Sequence, residues 1–170
     1  TLIAILAKNV LPKRSLILVP TSSPDSNYFL LDPEHPNARW IDRDSFHFHC
    51  KFNESESNMP CNLVYMLSVD SIKGTDLSGF DYFNLDIKYA GDAKNLRIAI
   101  RHSDPRFSTL SDSNSTKFNV IKVRTSDLTR PLQINVSELT VADWWLAEYD
   151  LPRDQTHPDI SNAITFAVDF

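Results

Sequence analysis

The feature that most constrains this fold is a series of short runs in which apolar and polar side chains alternate. The clearest run is 96–101, and similar runs occur at 82–89, 118–123 and 132–136. A period of two places successive side chains on opposite faces, which is typical of a half-buried β-strand. No helical pattern alternates with these runs, so antiparallel sheets are favoured over a parallel α/β fold.

Further strands are expected along the rest of the chain, at 16–19, 45–52, 61–69 and 163–170. Eight or nine short strands at spacings of 8–14 residues predict an all-β fold, an antiparallel β-sandwich of the jelly-roll type. One short helix is expected at 137–145, with Ser137 as its N-cap.

Size and composition exclude several classes of protein. A chain of 170 residues fits a single domain that buries roughly 70% of its unfolded surface. Its three glycines are too few for a Rossmann or P-loop nucleotide site. The formal net charge is −5, and the 17 basic residues are scattered, so the sequence carries no electrostatic signature of nucleic-acid binding.

Membrane attachment is expected to lie outside this sequence. No apolar run approaches the roughly 20 residues that cross a bilayer. The chain starts at Thr1 and stops within an apolar strand-like run, so we interpret it as a piece of a larger protein. We expect residues 1–39 to form a lead-in with a first strand, and residues 40–170 to form the main body of one domain.

The two cysteines, Cys50 and Cys61, allow two interpretations. Alternation in 45–52 and 61–69 places each cysteine on the apolar face of its strand. If residues 53–60 form a hairpin loop, the two sulfurs could meet across adjacent strands. A disulfide would indicate an oxidising compartment, whereas two buried free thiols would not.

The adjacent tryptophans Trp144 and Trp145 either close the end of the sandwich or line a binding site. Neighbouring side chains on a helix point about 100° apart, so one ring could be buried while the other faces a groove. Arg101, Asp104 and Arg106 lie at the end of a strand and the start of a loop, where sandwich domains place binding groups. We therefore predict these five residues as ligand-binding, with a purely structural role for both tryptophans as the alternative.

Several segments together resemble a known group of proteins. These segments are 74–82, the strand ending in Arg101, 113–119 and 142–145. They are similar to galactose-binding-like β-sandwich domains, including carbohydrate-binding modules and the intermediate-associated protein 30 family. They look most like the extracytoplasmic sensor domains of bacterial membrane-anchored GGDEF diguanylate cyclases and histidine kinases.

That resemblance, which covers residues 40–170, implies a function. It implies a periplasmic sensor domain of an inner-membrane protein, without catalytic activity of its own. Its partners would be a saccharide or other small molecule, a cytoplasmic output domain and a second copy in a homodimer. A carbohydrate-binding module of a secreted glycoside hydrolase is one alternative. An intracellular assembly factor, which would keep both cysteines reduced, is another.

Candidate metal ligands are weakly patterned, and we expect no cofactor. His47 and His49 share one strand face and could chelate a metal, but no third ligand of matching spacing is evident, so we interpret this face as solvated. Asp104, Asp112 and Asn114 offer hard oxygen ligands for calcium, which galactose-binding-like modules often carry. Because their spacing is irregular, we interpret these three residues as part of a solvated acidic loop, with calcium binding as the alternative.

Overall fold

The computed structural model describes residues 29–31, 38–42, 47–51, 61–68, 73–109 and 111–169. Within these ranges all pairings between strands are antiparallel, and the chain has a single α-helix, so the all-β fold class is confirmed. The strands are β1 (Phe29–Leu31), β2 (Ala38–Asp42), β3 (His47–Cys50), β4 (Asn62–Met66), β5 (Tyr82–Leu85), β6 (Asn95–His102), β7 (Lys117–Arg124), β8 (Leu132–Asn135), β9 (Thr140–Val141) and β10 (Ala163–Asp169), and the helix is α1 (Asp143–Glu148). The expected strand at 16–19 lies outside the described residues.

A six-stranded sheet forms the larger layer, in the order β1-β4-β10-β6-β7-β9. β6 and β7 pair along their whole length, from Asn95 opposite Arg124 to His102 opposite Lys117. β10 lies between β4 and β6 and pairs with both. No helix in the described part of the chain is long and apolar enough to span a membrane.

The second layer is the two-stranded sheet of β5 and β8, which covers one face of the larger sheet. Ile98 and Ile100 of β6 are almost fully buried beneath it, and the rings of Phe83 and Phe166 lie 6.0 Å apart across the interface. Burying each such side chain stabilises the fold by about 1.5–3 kcal/mol. The strand expected at 82–89 ends at Leu85, since β8 provides partners only up to that residue.

The predicted hairpin between the two cysteine strands is wrong. β3 pairs with β2, whereas β4 has β1 on one side and β10 on the other, so neither edge of β4 is open to β3. The connection from β2 to β3 is also shorter than the one from β3 to β4, and short connections favour pairing. Cys50 and Cys61 nevertheless form a disulfide, with their Cα atoms 6.5 Å apart, and it joins two separate sheets.

The helix is displaced from its predicted position. Ser137 lies inside a 3₁₀ turn, Val136–Glu138, in which the Glu138 carboxylate accepts a hydrogen bond of 3.1 Å from the backbone N–H of Asn135. Thr140 and Val141 then form the edge strand β9 against β7, and α1 begins only at Asp143. Two consecutive β-branched residues favour a strand over a helix, which explains the shift.

Gly74 permits a close approach between two backbone segments. Its N–H donates to the side-chain oxygen of Asn162, at 2.6 Å, and the adjacent Thr75 exchanges two backbone hydrogen bonds with Ala163. A Cβ atom on Gly74 would overlap the backbone carbonyl of Ala163. Glycine is therefore required here by space, since its φ is not positive.

We expect Gly74→Ala to destabilise the domain by about 2 kcal/mol, because the two backbones must separate to admit the methyl group. Urea unfolding measures the change. Gly79→Ala is the control: Gly79 is exposed and also lacks a positive φ, so its replacement should leave stability unchanged or slightly higher. Equal effects of the two substitutions would contradict the close approach at Gly74.

Candidate functional site

A cleft of about 230 Å³ opens at the end of the sheet where α1 lies. Its walls come from the loop after β6 (Arg106 and Phe107), the first residue of β7 (Lys117), α1 (Trp145) and the segment 151–157. Four parts of the chain between residues 106 and 157 thus meet around one opening. Sandwich domains commonly bind ligands on such end loops.

Trp145 forms the apolar base of the cleft. Its side chain is fully buried, and its indole N–H donates to the carbonyl of Ser115 at 3.4 Å. The ring of Phe107 meets it edge-on at 5.2 Å, and the ring of Tyr149 lies 4.8 Å from both. Edge-to-face aromatic packing of this kind makes a rigid wall.

Asp104 fixes Arg106 at the rim of the cleft. The guanidinium of Arg106 donates to both carboxylate oxygens of Asp104, at 3.0 and 2.7 Å, and its backbone N–H donates a third bond of 3.0 Å. These hydrogen bonds lower the pKa of Asp104, which is 5% exposed. The guanidinium also lies 5.2 Å from the centre of the Phe107 ring, so its orientation is set from two sides.

Lys117 is the least expected residue of the cleft. It is only 5% exposed, and among the described residues its ammonium has no hydrogen bond or ion pair. Burial lowers the pKa of Lys117, and the charges of Asp159 and Asp104 partly oppose this effect. A largely buried lysine whose ammonium lacks a protein acceptor is costly, and such groups concentrate at functional sites.

Asn119 holds the segment behind the cleft wall in place. Its side chain is completely buried, donates to the carbonyls of Ile100 and Asp159 at 3.1 and 2.7 Å, and accepts from the Asp159 N–H at 3.1 Å. Asn119 therefore provides hydrogen-bond partners for both the backbone N–H and the carbonyl of Asp159, which lies 40 positions later in the chain. Because every contact is made, this buried amide rigidifies the wall.

His102 adopts one defined tautomer beside Lys117. Its Nδ1 accepts the Asn162 backbone N–H at 3.2 Å, so the ring proton resides on Nε2, which faces the Asp159 carboxylate at 3.4 Å. Burial lowers the pKa of His102, although the carboxylates of Asp159 and Asp104 oppose the shift. If Nδ1 were protonated, its N–H would face the backbone N–H of Asn162, and two donors cannot form a hydrogen bond. The folded state therefore favours the neutral ring.

We expect the domain to lose stability on acidification through His102. The folded pKa lies below the unfolded value of about 6.5, so its contribution is present above that pH and is lost as the pH falls towards the folded pKa. The loss between pH 7.5 and 5.5 is at most about 1.4 kcal/mol.

Urea unfolding at the two pH values measures this loss. His102→Gln should flatten the dependence, while the control His157→Gln, at an exposed histidine, should retain it. A pKa of His102 above 6.5 in an NMR titration would reverse the sign and contradict the assignment.

Trp144 and Arg101 lie apart from the cleft lining. Lys117 and Phe118 are consecutive on β7 and so face opposite sides of the sheet. On the Phe118 side, the Arg101 guanidinium lies 4.9 Å from the ring centre, and Trp144 meets the same ring edge-on at 4.8 Å. Trp144 is 43% exposed, so these three side chains form a surface aromatic patch, called here the Trp144 patch.

The candidate metal ligands do not converge. Asp104 is occupied by Arg106, and the Asp112 carboxylate accepts the Asn114 N–H at 2.8 Å as the cap of a 3₁₀ turn. His47 and His49 are both exposed on β3. Among the described residues, no three His, Cys, Asp or Glu side chains are grouped so that they could hold a metal ion.

The five predicted ligand-binding residues therefore divide into two groups. Trp145 and Arg106 line the cleft and Asp104 positions Arg106, whereas Arg101 and Trp144 belong to the Trp144 patch. The sequence prediction missed Lys117, Phe107 and the wall at 151–157. Comparison with known proteins adds no further constraint: no protein-family model, no curated protein and no solved structure matches this chain.

Proposed function

We propose that this chain is a non-catalytic ligand-binding domain, the periplasmic sensor of a bacterial membrane-anchored signalling protein such as a GGDEF diguanylate cyclase. The observation that carries the proposal is the cleft with Lys117 in its wall, a largely buried side chain whose ammonium has no hydrogen-bond or ion-pair partner among the described residues. A group of this kind destabilises the empty domain, and a ligand that supplies an acceptor offsets that cost.

The size and the lining of the cleft support a small ligand. An apolar cavity of about 150 Å³ holds benzene, so a cleft of about 230 Å³ encloses roughly nine heavy atoms of a ligand, such as a six-membered ring with one acid group. The lining combines apolar surface from Phe107, Trp145 and Leu151 with a few polar groups at its edges. Small-molecule sites generally have this mixture, in which polar groups fix the orientation of the ligand.

The Cys50–Cys61 disulfide supports an extracytoplasmic location. Disulfides persist in the periplasm and outside the cell, whereas cytosolic thiols are kept reduced. The same bond argues against the intracellular assembly factor, which requires both cysteines to be free thiols.

The cleft is connected to the centre of the fold, which provides a route for signalling. The wall segment 151–157 continues through Asp159 and Asn162, which bond to Asn119 and His102, and then into β10. A ligand that favours one position of this wall would shift the arrangement of β10 in each copy of a homodimer. The output changes only if the ligand binds the two arrangements with different affinity.

A ligand screen by thermal unfolding tests the proposal. We expect one member of a panel of monosaccharides, organic acids and amino acids, at 100 times its Kd, to stabilise the domain by about 2.7 kcal/mol. NMR shift changes should then map to Phe107, Lys117 and 151–157. The control Trp144→Ala should keep this binding, since Trp144 lies outside the cleft lining. A panel without any stabilising ligand contradicts a sensor role for this cleft.

A carbohydrate-binding module is the second candidate, favoured by the exposed Trp144 patch. An exposed indole beside Phe118 and Arg101 offers a flat surface on which a sugar ring can stack. This function predicts oligosaccharide binding that Trp144→Ala abolishes and that substitutions in the cleft leave intact. The parent gene separates the two candidates further, since a sensor requires a hydrophobic span of about 20 residues in the same protein.

A further inference from the structure

The charge of the cleft lining indicates the chemical class of its ligand. Lys117 and Arg106 contribute two cations and His157 adds an imidazole ring, whereas none of the described Asp and Glu side chains lines the cleft. The chain as a whole has a formal net charge of −5. The excess of basic over acidic side chains in the cleft lining is therefore a local feature and not a general property of the surface.

The nearby carboxylates are already engaged. Asp104 accepts both hydrogen bonds of the Arg106 guanidinium, and one oxygen of Asp159 accepts from the backbone and hydroxyl of Ser161, at 2.9 and 2.7 Å. Burial disfavours ionisation of Asp159, but the hydrogen bonds from Ser161 prevail, so the pKa of this carboxyl lies below its ordinary value. Neither carboxylate reaches the Lys117 ammonium within ion-pair distance.

We infer that the cleft binds the carboxylate of a ring-sized organic acid, whose acid group contacts Lys117 and Arg106 and whose ring lies against Phe107. This inference rests on the proposed ligand-binding function. An ammonium offers three donors and no acceptor, and a carboxylate is a small group whose two oxygens accept charge-assisted bonds from it. The remaining volume suits a six-membered ring, either the pyranose of a sugar acid or the benzene ring of an aromatic acid.

Calorimetric titration with two matched pairs of probes tests the inference. The pairs are D-glucuronate with D-glucose, and benzoate with benzyl alcohol, so each acid has a neutral counterpart with the same ring. We expect one acid to bind at least about tenfold more tightly than its neutral counterpart, since a hydrogen bond to a charged group contributes that much. Tighter binding of D-glucuronate than of D-glucose would indicate a sugar acid, and tighter binding of benzoate than of benzyl alcohol would indicate an aromatic acid.

Lys117→Met separates a ligand-binding lysine from a structural one. It keeps most of the side-chain volume and removes the charge, so we expect acid binding to weaken by about 10- to 100-fold. The unfolding temperature of the free domain should rise, because a largely buried charge that Asp159 and Asp104 offset only in part is lost. Lys122→Met is the matched control, since Lys122 is exposed on the same strand and on its opposite face; it should leave acid binding unchanged.

The outcomes separate this inference from the proposed function. If a neutral compound binds the cleft as tightly as the acids, or if Lys117→Met lowers the unfolding temperature and leaves binding intact, the carboxylate inference is overturned while the sensor function stands. If neither these probes nor the wider panel bind, both are overturned.

Discussion

Trp145→Ala is expected to destabilise the domain by about 3–5 kcal/mol, whereas Trp144→Ala should cost less than about 1 kcal/mol. The two residues are adjacent, yet Trp145 is fully buried against Phe107 and Tyr149 and Trp144 is 43% exposed. Removing the Trp145 indole leaves a large cavity between α1 and the sheet and removes one of the two donors to the Ser115 carbonyl, the other being the Ser108 hydroxyl at 3.5 Å. The pair thus compares the same substitution in two environments one residue apart.

Urea unfolding followed by far-UV circular dichroism measures both changes. In a chain of this size, 1 kcal/mol corresponds to about 2–4 °C in unfolding temperature, so Trp145→Ala should lower the unfolding temperature by about 6–20 °C. Trp145→Phe is a second variant that keeps an aromatic ring and should retain a large part of the stability. Equal effects at positions 144 and 145 would contradict the burial that separates them.

Reduction of the Cys50–Cys61 disulfide is expected to cost about 3 kcal/mol, the second largest effect. The bond closes a loop between residues eleven apart. Removing a cross-link that closes a loop of this length lowers the free energy of unfolding of the protein by about 3 kcal/mol. The effect arises mainly in the unfolded chain, whose conformational freedom increases. The unfolding temperature should therefore fall by about 6–12 °C in the presence of a thiol reductant.

Cys50→Ala is the matched variant for this prediction. Cys50 is half-buried, whereas Cys61 is completely buried, so the substitution opens the bond without disturbing the core. Its stability should equal that of the reduced wild-type protein and should not respond to reductant. A thiol count of two in non-reduced, denatured wild-type protein would show that the bond is absent and would remove the main support for an extracytoplasmic location.

The fold class follows from local patterns, but the strand pairing does not. Alternation in 96–101 and 118–123 predicts β6 and β7, because burial of one strand face leaves a signal in consecutive residues. β9 contains only two residues, too few for any pattern. The partner of β3 depends on which strand edges other segments already occupy, and that information is distributed over the whole chain.

The candidate site was predictable only where its residues have a recognisable local sequence pattern. Arg106 and Trp145 stand out because charged loop residues after a strand and paired tryptophans are unusual. Lys117 gives a weaker signal. It lies on the same face of β7 as Asn119, Ile121 and Val123, and this face is directed towards the core. Polar residues in an inward-facing register indicate a buried polar site, but only the packing of 151–157 shows that Lys117 lines a cleft.

The position of β10 has a consequence for the synthesis of this protein. It is the last of the described strands to leave the ribosome, yet it lies in the middle of the large sheet and supplies partners to both β4 and β6. Until residues 163–169 emerge, β4 and β6 have no neighbour on the side that β10 will occupy, and β6 cannot form the ion pair between Arg97 and Asp169. Such long-range pairing slows folding and exposes strand edges that chaperones recognise. The large sheet is therefore expected to be completed only after β10 has been synthesised.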